Sequence, residues 1–158
     1  MDNIKIRQAT IKDLKDIQKL NYLLFKKEYN DYDKSLNLGW TFGKKGTKYF
    51  KDKLTRKNSC VFMAIINDLV VGYIAGGESK AEVYRNLPKV GELENMFIIK
   101  THQRKKIGTN LCTAFVKWCK KSGIKLIRVL ATAQNKEAIS FYRKNKFKEH
   151  TLILESKI

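Results

Sequence analysis

Proline occurs once in the 158 residues, at Pro88, and no Ser/Gly-rich linker, internal repeat or low-complexity tract accompanies it. No boundary is therefore visible, and the length fits one domain over 1–158 with a real core while being short for two. Cysteine is nearly as scarce. Cys60, Cys112 and Cys119 stand at neither CxxC nor Cys/His spacing, so no metal site is expected, and an odd count without secretion reads as reduced core thiols. The opening Met1-Asp2-Asn3-Ile4-Lys5-Ile6 has no apolar signal core, and no run approaches the length of a membrane span. The expectation is a cytoplasmic protein with no membrane partner.

Acidic residues are the other shortage: 15 Asp and Glu against 33 Lys and Arg, a formal charge of +18. Such a field attracts polyanions, nucleic acid and acidic proteins among them. The cations are scattered, however, over Lys12, Lys15, Lys19, Lys26, Lys44, Lys51, Lys57, Lys80, Lys117 and Lys148, which favours solvated faces over a dedicated nucleic-acid surface. Only residues 100–106 cluster. Hydrophobic content of 43% and aromatic content of 11% belong to a globular chain, not a disordered one.

What is present is a central stretch, residues 92–121. Met96, Phe97, Ile98 and Ile99 in a row read as a strand buried on both faces. A loop with three consecutive cations follows. Ile107, Leu111, Ala114, Phe115 and Trp118 then recur at helical spacing, with Lys117, Lys120 and Lys121 opposite and Gly123 as the stop. A strand that feeds a basic loop into a helix N-terminus makes an anion site, because the first amides lack intrahelical acceptors and the helix dipole adds positive charge. The Gly-rich Lys-Ser/Thr ending of a Walker loop is absent.

Gln103-Arg104-Lys105-Lys106-Ile107-Gly108-Thr109 resembles the pyrophosphate loop of the GNAT superfamily of acyl-CoA N-acyltransferases, Gln/Arg-x-x-Gly-x-Gly/Ala. Downstream, Asn135, Ala138, Phe141-Tyr142, Lys144 and Lys146-Phe147 resemble that family's second signature, Asn-x-x-Ala, then Phe-Tyr, then Lys-x-Gly-Phe. The two in this order, with a helix and a strand between, are far more specific than either alone. Two departures stand out: Lys106 replaces the first loop glycine, and Lys146 replaces the glycine before Phe147. A side chain at 106 either obstructs approach of the backbone to phosphate or supplies it a cation.

The flanking elements fall in the family's order. Ile4 and Ile6 alternate with polar residues as an opening strand, and Thr10 with Asp13 forms a capping-box start for a helix carrying Leu14, Ile17, Leu20 and Leu24. Residues 29–46 are irregular and aromatic, and a second helix is expected over 47–57. Two β-rich runs, 59–66 and 69–76, flank Asn67-Asp68 as a hairpin. Residues 126–131 read as another strand, 135–145 as a short helix, and 147–155 as a closing strand. The expectation is an α+β GNAT fold: a mixed, largely antiparallel sheet of about seven strands with flanking helices, splayed at the acetyl-CoA site.

The resemblance implies transfer of an acetyl group from acetyl-CoA, as co-substrate, to a primary amine on a small molecule or a peptide or protein. The backbone of Met96, Phe97 and Ile98 would pair with the pantetheine arm as an added strand. Gln103, Arg104, Lys105, Lys106, Ile107, Gly108 and Thr109 would take the pyrophosphate. Asn135 would face the cofactor, though Asn is equally a favoured N-cap. Tyr142 matches the family's tyrosine, which also touches the cofactor and protonates the departing thiolate. A strand amide near Phe97 or Ile98 would serve the oxyanion. Glu92 and Glu94, which alternation places on one strand face, are the candidates for a base acting through water, and each is as readily a solvated or Lys-paired strand-end carboxylate. Tyr32, Trp40 and Tyr84 are the weaker candidates for the acceptor side. His102 and His150 show no partner. A non-catalytic basic module on the same scaffold, holding CoA or nucleic acid, is the competing reading. No motif encodes the acceptor amine or the oligomeric state, a homodimer included.

Overall fold

The computed structural model describes residues 3–158; Met1 and Asp2, which begin the segment read above for a signal core, lie outside the described residues. Its elements run β1 (Lys5–Gln8), α1 (Leu14–Asp31), α2 (Lys44–Thr55), β2 (Ser59–Ile66), β3 (Leu69–Ser79), β4 (Val90–Ile98), α3 (Ile107–Lys121), β5 (Leu126–Val129) and α4 (Lys136–Lys144). The five strands lie in sequence order. β1 to β4 are antiparallel, and β5 joins β4 in parallel after the α3 crossover.

Local chemistry explains most of these elements. The Asp13 carboxylate accepts from the Thr10 N–H at 2.8 Å and starts the single turn that leads into α1. It also takes the Arg7 guanidinium at 2.8 and 2.7 Å, and that bond holds the Asp13 carboxyl at about 2. The β2–β3 hairpin closes on Asn67 and Asp68, with φ of 47° and 64°. Both lie in the left-handed region, which Asn and Asp tolerate and which matches the twist of the strands.

Alternation along the strands, shifted once where Val71 is the extra residue of β3 opposite Ala64 and Ile65, builds two core layers. Cys60, Ala64, Val71, Ile74 and Leu93 pack on Ile107, Leu111 and Phe115 of α3. On the opposite face, Val61, Met63, Tyr73 and Ala75 pack on Ile17, Leu20 and Phe50 of α1 and α2. β2 and β3 are covered on both faces, so they read as continuous apolar runs.

Two features depart from expectation. The sheet has five strands, not about seven. Residues 147–155, expected to close it, form no ladder, and Leu152 and Leu154 are 72% and 85% exposed. An alternating apolar pattern expresses a preference for extended backbone, but a strand also needs an edge to pair with. The second departure lies within β4. Ala75 pairs with Asn95 and Gly76 with Leu93, so Glu94 is an extra residue on the β4 side. Glu94 and Asn95 consequently both reach toward α1 and α2, as their hydrogen bonds show below.

Candidate active site

β4 and β5 share a ladder only from Val90 to Leu93, opposite Leu126 to Val129. Beyond Leu93, β4 continues to Ile98 while β5 has ended, so the amides and carbonyls on that edge have no strand partner. The open edge runs straight into a single turn at Lys100–His102 and then the N-terminus of α3. Gln103 ties this loop back to the strand, its Nε2 donating to the Ile98 carbonyl at 3.1 Å.

Arg104 and Lys106 both have left-handed backbones, φ 64° and 61°. Lys106 is the N-cap of α3, and no side chain caps that helix start. The Asn110 N–H makes the first intrahelical bond, to Lys106 O at 3.0 Å, which leaves the Ile107, Gly108 and Thr109 amides directed out of the helix end. Lys106 is exposed. A left-handed lysine costs about 1–2 kcal/mol, partly offset by the roughly 0.5–1 kcal/mol of extra chain entropy that glycine would lose on folding. Lys106→Gly is therefore expected to stabilise by about 0.5–1 kcal/mol, raising Tm by about 1–4 °C. A thermal melt showing no rise would reject this account. Gly108 is closely packed: a Cβ there would lie 3.1 Å from Phe141 Cε2 and 3.2 Å from Ile98 Cδ1. Arg104 reaches Glu137 of α4 at 3.6 Å, with both side chains exposed.

Phe141 covers Gly108, and Tyr142 beside it packs between Phe141 and Phe147, with ring centroids 5.5 and 5.6 Å apart. Burial pushes the Tyr142 phenol above its ordinary range, with smaller contributions from Cys112 and Glu28, so it stays protonated at neutral pH. The thiols are protonated too. Burial raises Cys112 to about 12 and Cys119 to about 11, and Cys60 also rises, so none is a thiolate nucleophile. Asn135 caps α4, its Oδ1 accepting from the Ala138 N–H at 3.0 Å, while its Nδ2 donates to Glu28 of α1 at 3.1 Å.

The two glutamates differ in company. Glu92 accepts from the Ser79 hydroxyl at 3.2 Å. Glu94, carried forward by the bulge, takes the Tyr49 hydroxyl on one oxygen and the Lys53 ammonium on the other. Asn95 donates to the same Tyr49 oxygen at 2.7 Å. Its Oδ1 accepts from Asn21, which also reaches the Tyr73 hydroxyl and accepts from Thr41. A buried polar network thus ties the bulge to α1 and α2. Burial, then the Glu94 charge, raises the Tyr49 phenol strongly. Sequence reading missed Tyr49 and Lys53. Their i,i+4 spacing on α2 puts both on one face, but nothing local says that this face meets β4.

Of the aromatics singled out for the acceptor side, Trp40 is brought in: it stacks on Phe25 at 5.5 Å and meets Tyr49 at 5.5 Å. Tyr32 ends α1 under the Lys27 ammonium, and Tyr84 is 84% exposed on the 80–89 loop. The His102 ring meets the Thr101 hydroxyl at 3.0 Å, and its backbone N–H donates to the Ile99 carbonyl at 2.8 Å.

A mixed sheet that opens beside a helix N-terminus, with helices on both faces, is the GNAT-like α+β fold. The sequence profile of the acetyltransferase (GNAT) family matches residues 15–147, and the chain belongs to that family. An uncharacterized N-acetyltransferase of Methanocaldococcus jannaschii is 28% identical over 152 residues, covering 94% of this chain and 62% of that protein. The chain thus spans less than two thirds of that relative's length. The aminoglycoside N-acetyltransferase AAC(6')-Iy in complex with CoA superimposes with a TM-score of 0.80 at 14% identity, covering 100% of this chain and 96% of that one. A tetramutant Bacillus halodurans protein does so at 0.81 and 15% identity, covering 98% and 99%. At such identities the likeness concerns the fold. No helix among the described residues is long and apolar enough to cross a membrane.

Proposed function

We propose that the protein transfers the acetyl group of acetyl-CoA directly to a primary amine, on a small molecule or a peptide or protein. The observation that carries this is the unpaired β4 edge, which leads through one turn and a basic loop to the outward amides of α3, with Tyr142 packed against the same core as Met96 and Ile98. The fit to an acyl-CoA is physical. A pantetheine arm needs an open edge of backbone donors and acceptors, supplied by Met96, Phe97 and Ile98. A diphosphate needs helix-end amides and cations, supplied by Ile107, Gly108 and Thr109 with Gln103, Arg104, Lys105 and Lys106 around them. Asn135 borders the same opening.

In the reaction a nitrogen–carbon bond forms, the carbon–sulfur bond breaks, one proton leaves nitrogen and one reaches sulfur. Tyr142, protonated and half-buried, donates toward the sulfur. Glu94 is the better placed of the two glutamates to accept the amine proton, directly or through water. It sits on the bulge where the edge opens, and Tyr49 and Lys53 fix its orientation. Glu92 is the second candidate, and Trp40, with Tyr32 and Tyr84 farther out, borders the acceptor side. A transfer without a protein nucleophile agrees with the protonated thiols.

The test is calorimetric titration with acetyl-CoA, CoA and dephospho-CoA, followed by thiol release against a panel of amines. Micromolar binding with amine-dependent release supports the reading. Binding without release from any amine would return the chain to the basic-module alternative, and no binding would remove both CoA readings.

A further inference from the structure

α4 carries Tyr142, yet it is nine residues long and has no fully buried side chain. Phe141 and Tyr142 pack against the α3 side of the core, the Arg104–Glu137 pair is exposed, and the chain that delivers α4 has left the sheet after Val129. One further tie comes from across the opening. Glu28, half-buried on α1, accepts from the Thr132 hydroxyl on one oxygen and from Asn135 Nδ2 on the other, both at 3.1 Å. These partners are 104 and 107 residues away in sequence. Each Glu28 oxygen thus takes one partner of this clasp.

The geometry points to Glu28 as a positioning residue: its two hydrogen bonds hold the β5–α4 loop, and through the Asn135 cap set where α4 presents Tyr142 over the open β4 edge. This rests on the acetyltransfer reading above. Asn135 is committed at both ends of its amide, Oδ1 to the Ala138 N–H and Nδ2 to Glu28, so the helix start is oriented by α1. Tyr142 lies seven positions later, about two turns along and on the same helical face. A tilt at the cap is therefore passed to the phenol by a rigid element. Misplacement of a reacting group by about 1 Å costs up to about 100-fold in rate. Burial, then Cys112 and lastly the Glu28 charge, raises the phenol above its ordinary range.

The experiment compares Glu28→Ala and Glu28→Gln with the parent protein. Glutamine can rebuild both bonds, because its oxygen accepts from Asn135 and its amide donates to the rotatable Thr132 hydroxyl. Glu28→Ala is expected to lower kcat at least tenfold with the KM for acetyl-CoA within about threefold, and Glu28→Gln to stay within about threefold of the parent in both. Hydrogen exchange of residues 130–142 is expected to speed up in Glu28→Ala only. That arm reads the clasp without any turnover, so an inactive parent would sink the acetyltransfer reading and leave the clasp separately measured. A Glu28→Gln as impaired as Glu28→Ala would overturn the proposal and make the charge the active feature. So would unchanged exchange and kcat in Glu28→Ala.

Discussion

Tyr142→Phe is expected to lower kcat by about 100-fold while leaving acetyl-CoA binding within about threefold of the parent. The magnitude follows from the role. A positioned acid contributes about 10²–10⁴ in rate, and 100-fold corresponds to about 2.7 kcal/mol of barrier. Phenylalanine keeps the ring and its contacts with Phe141 and Phe147, so the packing of α4 survives and only the donor is lost. No hydrogen bond contributes to the shift of this phenol, so removing the hydroxyl leaves no partner unsatisfied. Burial raises the phenol, which makes it a weaker acid in equilibrium terms but keeps its proton available across the whole neutral range. The proton moves as negative charge develops on sulfur. Steady-state kinetics with calorimetry decides the matter: a kcat near the parent's removes Tyr142 from the chemistry, and a loss confined to KM makes it a binding residue.

The parts of this site that were legible in the sequence are those written in local chemistry. The hairpin was readable because Asn67 and Asp68 are turn residues whatever surrounds them. The loop and the start of α3 were readable because three cations precede a clear helical stripe. Asn135 at a helix start and Tyr142 seven positions later needed only the helical period and the resemblance. What escaped is pairing over distance. The bulge exists because β3 and β4 slip by one residue beside Gly76, so period-two alternation alone gave no hint that Glu94 and Asn95 both face α1 and α2. Tyr49 and Lys53 meet Glu94 from 45 and 41 residues away, and Glu28 meets Asn135 from 107. The 147–155 segment errs in the other direction. Its period is right for a strand, but within this chain it finds no edge.

Gly108→Glu is expected to weaken acetyl-CoA binding at least 100-fold, the largest loss foreseen from a single change in the loop. Two effects act together. A Cβ at 108 already lies 3.1–3.2 Å from the Phe141 ring and Ile98 Cδ1, so the neighbours that set the width of the opening must give. The carboxylate then occupies the positive end of α3, where it takes up the amides and dipole that a diphosphate needs and repels the diphosphate directly. Gly108→Ala separates the two. It keeps the crowding without the charge, and a Phe141 ring shift of a few tenths of an ångström suffices to absorb it, so a loss under about tenfold is expected. Calorimetry with acetyl-CoA at two salt concentrations, beside a thermal melt of each variant, reads both. Equal losses in the two variants at full stability would assign the effect to packing of α4 on α3. Parent-like affinity in Gly108→Glu would mean that the helix end does not hold the diphosphate, and the cradle would have to be sought elsewhere along the β4 edge.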